Sequence, residues 1–300
     1  MRAVIAYRDA EDTPEALELG AVLRRTTGCD LVVAAVLPPT SMDTLEDRSV
    51  DADYRAWLDQ VADQAKTAAH AALDGEGQIE FVRVTSSSVA AGLVEAVEAA
   101  DADALVLGSA RDAVDGSLLA GSVATRLLHS SPVPILLAPQ GYRPGSGTRF
   151  TSLTCAYTGT EPSREALAAT CDLANRFDAS LWIGTFVPHA DTMYPPPVGF
   201  DAEDLVSAQL AEQAIGLQAD AVEFCHQHGI KDVRTFIARG HGWKGALAGV
   251  EWDDHDLLVL GSSRLGTLAR VFLGSTATKI LRHTPVPILV IPAGSHTWSD

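Results

Sequence analysis

Two stretches of the chain, GSVATRLLHSSPVPILLAP at 121–139 and GSTATKILRHTPVPILVIP at 274–292, are one nineteen-residue phrase written twice, 153 residues apart. Upstream, DALVLGS at 103–109 and DLLVLGS at 256–262 share that offset. AVIAYRDAEDTPEAL at 3–17 faces LTCAYTGTEPSREAL at 153–167 at an offset of 150. A period this long is a duplicated domain, because solenoid repeats are only a few tens of residues long. The 300 residues therefore divide into a first domain at 1–140, a linker at 141–150, a second domain at 151–293 and a tail at 294–300. The linker is marked by the Gly, Pro and Ser content of QGYRPGSGTRF.

Each half alternates strand and helix. In the first, the strands are AVIAY, DLVVAAVL, IEFVRV, ALVLGS and VPILLAP. Helices are expected at TPEALELGAVLRRTT, at 51–74, at 89–100 and at GSVATRLLHS. The second half repeats this with LTCAY, SLWIGTFV, VRTFIA, LLVLGS and VPILVIP, and helices at 162–177, 202–228, 243–250 and GSTATKILRH. Continuous apolar strands separated by helices are the pattern of parallel strands covered on both faces. The fold class is α/β, with two tandem doubly wound, five-stranded, mainly parallel sheets. Pro132, Pro134, Pro285 and Pro287 open the fifth strands. Proline cannot donate to a ladder, so these are edge strands, and two equivalent edges predict pairing of the two domains through them.

Composition narrows the function. Apolar residues are 47% and charged residues 20%, enough to build a core, and the formal net charge of −17 repels nucleic acid and anionic lipid. No run approaches the roughly 18 apolar residues of a membrane span, and MRAVIAYRDAED reads as a first strand rather than a signal peptide. Cys29, Cys155, Cys171 and Cys225 have no paired metal spacing and read as free thiols. Together these features predict a cytoplasmic protein without nucleic-acid or membrane partners.

In an open α/β sheet, ligands sit outside the carboxyl ends of the strands. Here the fourth strand ends at Gly108 or Gly261, and the next helix starts at Gly121-Ser122 or Gly274-Ser275. Amides at a helix start suit a phosphate, and Ser is also a good N-cap. Strand–GSxx–loop–GS–helix–PVPIL, once per half, resembles the universal stress protein family in its tandem, Rossmann-like form. The resemblance covers nearly the whole chain. It implies a stress-response regulatory protein that acts by binding, with ATP or another adenine nucleotide as ligand and Mg accompanying it. ATP-binding members carry Gly-x2-Gly-x9-Gly-Ser/Thr after the fourth strand, an Asp after the first strand, and a base-contacting residue at the end of the second.

Position by position, the resemblance assigns Gly261, Ser262, Arg264, Gly274, Ser275 and Thr276 to the phosphates. It sets Thr158 and Gly159 by the ribose or base, and Val187 beside the adenine. Both halves depart at the middle glycine, which is Arg111 in the first and Arg264 in the second. If that position needs positive φ, arginine there costs roughly 1–2 kcal/mol. The Asp position is Arg8 in the first half and Thr158 in the second. Asp9, Glu11, Asp12, Asp112 and Asp115 crowd the first site, whereas the second loop holds Arg264 and Arg270 and no acid. At about 4 Å each like-charged pair costs on the order of 1 kcal/mol even in water, so the second half is the expected site and the first a relic.

The alternative is a nucleotide-free interaction protein of the same fold, a possible homodimer, whose Gly-Ser elements only start helices. RGHGWKG at 239–245 has dinucleotide-fingerprint spacing, but it follows a third strand and reads as a flexible loop in which His241 and Trp243 could border the crevice. His226 and His228 stand two apart on a helix and cannot chelate together. No catalytic residue is assigned, since GxSxG, HExxH and the P-loop pattern are absent; at most the resemblance implies slow ATP hydrolysis.

Overall fold

The computed structural model describes residues 1–7, 14–39, 48–189, 201–264 and 271–293. Arg8, Asp9, Glu11, Asp12 and Arg270, which enter the expectations above, lie outside the described residues. The chain divides between Arg149 and Phe150 into two compact units.

The first unit runs β1 (Arg2–Ala6), α1 (Glu15–Thr27), β2 (Asp30–Leu37), α2 (Arg48–Ala72), β3 (Ile79–Thr85), α3 (Val89–Ala99), β4 (Ala104–Leu107), α4 (Ser122–Leu128) and β5 (Ile135–Leu137). Its strand order is β3-β2-β1-β4-β5, with every pair parallel. β2 is buried from Leu31 through Leu37, and each such Leu or Val removed from water stabilises the unit by about 1.5–3 kcal/mol. β3, at the end of the order, is only partly buried.

The second unit repeats the plan with β6 (Ser152–Ala156), α5 (Glu161–Phe177), β7 (Ser180–His189), α6 (Asp201–Gln227), β8 (Val233–His241), α7 (Gly242–Ala248) and β9 (Asp256–Gly261). A small antiparallel hairpin of β10 (Ser263–Arg264) and β11 (Val271–Phe272) follows, then α8 (Ser275–Leu281) and β12 (Ile288–Ile291). The sheet order is β12-β9-β6-β7-β8, again parallel. In both units the order reverses direction next to the first strand, at β1/β4 and at β6/β9, and a gap opens there at the carboxyl ends.

The prolines act as expected of residues without an amide hydrogen. They precede the fifth strands, and the Pro134 and Pro287 carbonyls accept from Leu105 and Leu258 at 3.0 Å each. Each fifth strand lies at one end of its own unit's order.

The segment read as a linker is held to the first unit. Gly141 donates its amide to the Glu15 Oε1 at 3.0 Å, and Arg143 pairs with the same oxygen at 3.2 Å. Arg25 donates to the Thr148 carbonyl at 2.9 Å, and Arg149 to the Thr26 carbonyl at 3.3 Å. Arginine reach and the buried Tyr142 ring override the local Gly/Pro signal, and Phe150 is buried as the second unit begins.

RGHGWKG is no flexible loop. β8 runs to His241 and passes straight into α7 through Gly242, whose φ is +61°. Any Cβ on Gly240 would overlap the backbone of Gly245 and Ala246, so these glycines serve the packing of strand end on helix. Among the described residues no helix is long and apolar enough to cross a membrane.

Candidate functional site

The second unit has a cleft of about 330 Å³ at its switch point. Its floor is Ala156, Gly184, Phe186 and Leu260; its rim is Thr158, Thr160, Pro162 and the start of α8 at Gly274, Ser275 and Thr276. The volume falls in the range of small-molecule sites, and an apolar floor with a few polar rim groups is their usual chemistry.

Each wall has a local cause. The loop after β6 is tied by Ser163, whose hydroxyl donates to the Thr160 carbonyl at 2.8 Å and accepts from the Thr158 amide at 3.4 Å. That turn sets the Thr158 hydroxyl 3.0 Å from the Thr160 hydroxyl on the exposed rim. Pro162 sits in the first turn of α5, where its missing amide hydrogen costs nothing. Across the cleft α8 is capped by glycine, not serine: Gly274 is the N-cap with extended backbone, and Ser275 is the first helical residue, exposed to the cleft. A Cβ on Gly274 would meet open space. α4 is built identically on Gly121 and Ser122, so serine caps neither helix.

Of the residues assigned from sequence, Thr158, Gly261, Gly274, Ser275 and Thr276 come together around this cleft. Ser262 does not border it. It is 1% exposed, and its hydroxyl donates to the Ile291 carbonyl at 3.0 Å and accepts from the Ala293 amide at 3.3 Å, fastening the end of β9 to the end of β12. Gly159 lies behind the rim with φ of +71°, packed on Leu217 of α6. Val187 is also off the cleft. Along β7 the residues facing it are Gly184 and Phe186, and strand alternation turns Val187 to the other side. Arg264 is in extended backbone paired with Val271. Positive φ at non-glycine positions is confined, among the described residues, to Asp101 and Asp178, so neither Arg264 nor Arg111 carries the left-handed penalty. His241 and Trp243 stay outside the cleft; Trp243 lies under the Lys279 ammonium at 5.9 Å, joining α7 to α8.

The first unit keeps an equivalent cleft of about 280 Å³, lined among others by Tyr7, Val36, Gly108, Arg111, Gly121 and Ser122. Tyr7 and Tyr157 anchor corresponding loops, donating their amides to the Ala34 and Gly184 carbonyls at 3.1 and 2.9 Å. Val36 then corresponds to Phe186. Of the acids expected to repel an anion here, Asp112 and Asp115 do not line the cleft, and Arg111 does. The reason is backbone pairing, since Gly116 donates to the Gln140 carbonyl and Gln140 to the Ser117 carbonyl, at 2.9 Å each, which carries Asp115 against Gly141.

Sequence reasoning missed Gly184, Phe186, Pro162 and Ser163. A period-2 reading of SLWIGTFV from Trp182 would have put Gly184 and Phe186 on one face.

Two α/β units in tandem, each with a cleft at the switch point of a parallel sheet, define a duplicated doubly wound α/β protein. The model of the universal stress protein family matches residues 1–139 and again 150–292. A universal stress protein of Mycobacterium tuberculosis is 36% identical, over 97% of this chain and all of that one. One from Thermus aquaticus is 25% identical and matches 47% of this chain with 98% of its own length, a single-copy relative. Among solved structures, a universal stress protein of Archaeoglobus fulgidus superimposes with a TM-score of 0.63 at 18% identity, covering 98% of both chains. The chain belongs to the universal stress protein family, with two copies of the family's domain in tandem.

Proposed function

We propose that the chain is a stress-response regulator that binds an adenine nucleotide in the cleft of its second half. The observation that carries this is the junction of an apolar floor, Gly184 and Phe186, with a rim of hydroxyls at Thr158, Thr160, Ser275 and Thr276. The floor suits a base, and the open start of α8 suits phosphate oxygens. Gly274, Ser275 and Thr276 would hold the phosphates and Thr158 the sugar. Phe186 would meet the base in place of Val187. Bound ATP would bring its own Mg, and no residue here is given a catalytic role.

A second reading, an interaction protein that needs no nucleotide, is favoured by Gly261 and Ser262, whose packing and hydrogen bonds account for them without a ligand. Isothermal titration with ATP, with mass spectrometry of anything released on denaturing the purified chain, separates the two. Binding of one nucleotide per chain supports the first reading. No retained nucleotide and no heat at millimolar ATP overturn it.

A further inference from the structure

The second unit buries three of the four cysteines, and two of them touch. Cys171 on α5 and Cys225 on α6 are both fully buried, with their sulfurs 3.4 Å apart. Cys155 on β6 is buried nearby, and it is hydrogen-bonded to Thr170. At the offset of 150 the first half has Ile5 for Cys155 and Ala21 for Cys171, so this grouping belongs to the second half alone.

We propose that Cys171 and Cys225 are an oxidisable dithiol that closes to an intramolecular disulfide under hydroperoxide, cross-linking α5 to α6. The contact leaves little to rearrange, because the sulfurs need to approach by only about 1.4 Å to reach bonding distance. The thiols are also unequal. Cys171 donates its S–H to the Cys225 sulfur, which lowers the Cys225 pKa, while that bond and burial raise Cys171. Burial pushes Cys155 up to about 12, which keeps it a spectator.

The chemistry balances with one hydroperoxide. The Cys225 sulfur attacks one peroxide oxygen and the O–O bond breaks. The departing hydroxide takes the thiol proton as water, leaving a sulfenic acid on Cys225. The Cys171 sulfur then attacks the sulfenic sulfur; the S–S bond forms, the S–O bond breaks, and hydroxide leaves with the Cys171 proton as a second water. Two thiols and one hydrogen peroxide thus give one disulfide and two waters. Access comes at the helix end: α6 stops at Gln227, and Cys225 lies in its last turn, where local opening is least costly. The link would join α5, which supplies Pro162 and Ser163 to the cleft, to α6, whose Leu217 packs on Gly159 behind the cleft rim.

The test is oxidation of the folded chain with millimolar hydrogen peroxide, then quenching, alkylation under denaturing conditions and peptide mapping. The expected result is a fall from four alkylated cysteines to two, a mass loss of about 2 Da before alkylation, and a dithiothreitol-reversible peptide joining Cys171 to Cys225. Cys29 and Cys155 stay alkylated. In Cys171→Ser the cross-link disappears, and Cys225 accumulates as sulfenic or sulfinic acid. The proposal is overturned if both cysteines remain alkylated, if each overoxidises separately, if the link runs to Cys155, or if it forms only in denaturant. Peptide mapping of the unmutated chain decides the matter even if the serine variant folds poorly.

Discussion

Gly261 ends β9 directly against the Pro162 carbonyl of α5, so closely that a Cβ at position 261 would overlap that carbonyl and crowd Ala166. The glycine expected to hold phosphate is thus also the point where strand and helix come together. Gly261→Ala forces β9 and α5 apart, and overpacking of this kind costs about 1–3 kcal/mol. The expected outcome is a lower denaturation midpoint for the second unit in urea or heat. A variant as stable as the parent would show that α5 can retreat freely.

Gly274 presents the opposite case, with open space where a side chain would go and φ of −55°. Gly274→Trp should therefore leave the fold intact, by circular dichroism and melting, while filling the cleft. ATP heat on titration is expected to vanish in this variant and to persist in Gly121→Trp. Equal losses from both would move the site, or a second site, to the first half.

Gln218 is buried on α6, and its amide nitrogen donates to the Phe236 carbonyl at 2.8 Å and the Thr185 hydroxyl at 3.0 Å, sharing a hydrogen with the Ile183 carbonyl at 3.3 Å. One side chain thus ties α6 to β7 and β8. Gln218→Leu keeps the bulk and removes the donor, leaving buried acceptors unpaired at a cost of about 1–3 kcal/mol. Urea unfolding is expected to show that loss; an unchanged midpoint would mean that water replaces the amide.

Asp256, 8% exposed, accepts from the Asp253 amide at 2.8 Å, and burial raises its pKa above the ordinary carboxylate value. Folding therefore favours the protonated acid. That contribution is complete below about pH 4, the unfolded value, and is lost as pH rises through the higher folded value. Asp256→Asn should flatten this fall in melting temperature as pH rises above about 4. A parent and variant with parallel pH profiles would remove Asp256 as its source.

Much of the fold was legible because a fully buried parallel strand must be apolar throughout. VLGS and PVPIL therefore marked β4, β9, β5 and β12, and their repetition marked the duplication. The same property hid the site's detail. A strand apolar on both faces, such as SLWIGTFV, does not announce which residues face a cleft, and Val187, the position the resemblance sets beside the adenine, lies one residue past the cleft-facing Phe186. Local composition also misplaced Asp112 and Asp115, because pairing of their loop with residues 140–141 decides where they point.

The sequence by itself determined the two-copy architecture, the strand and helix succession and the end position of each fifth strand, since periodicity and proline's missing donor act locally. Tertiary structure decided the rest. It gave Gly261 to packing and Ser262 to fastening β12, kept a cleft in both halves, and brought Cys171 and Cys225, 54 residues apart, into contact. Such relations depend on which backbones approach each other, and close approach between distant segments leaves no pattern along the chain.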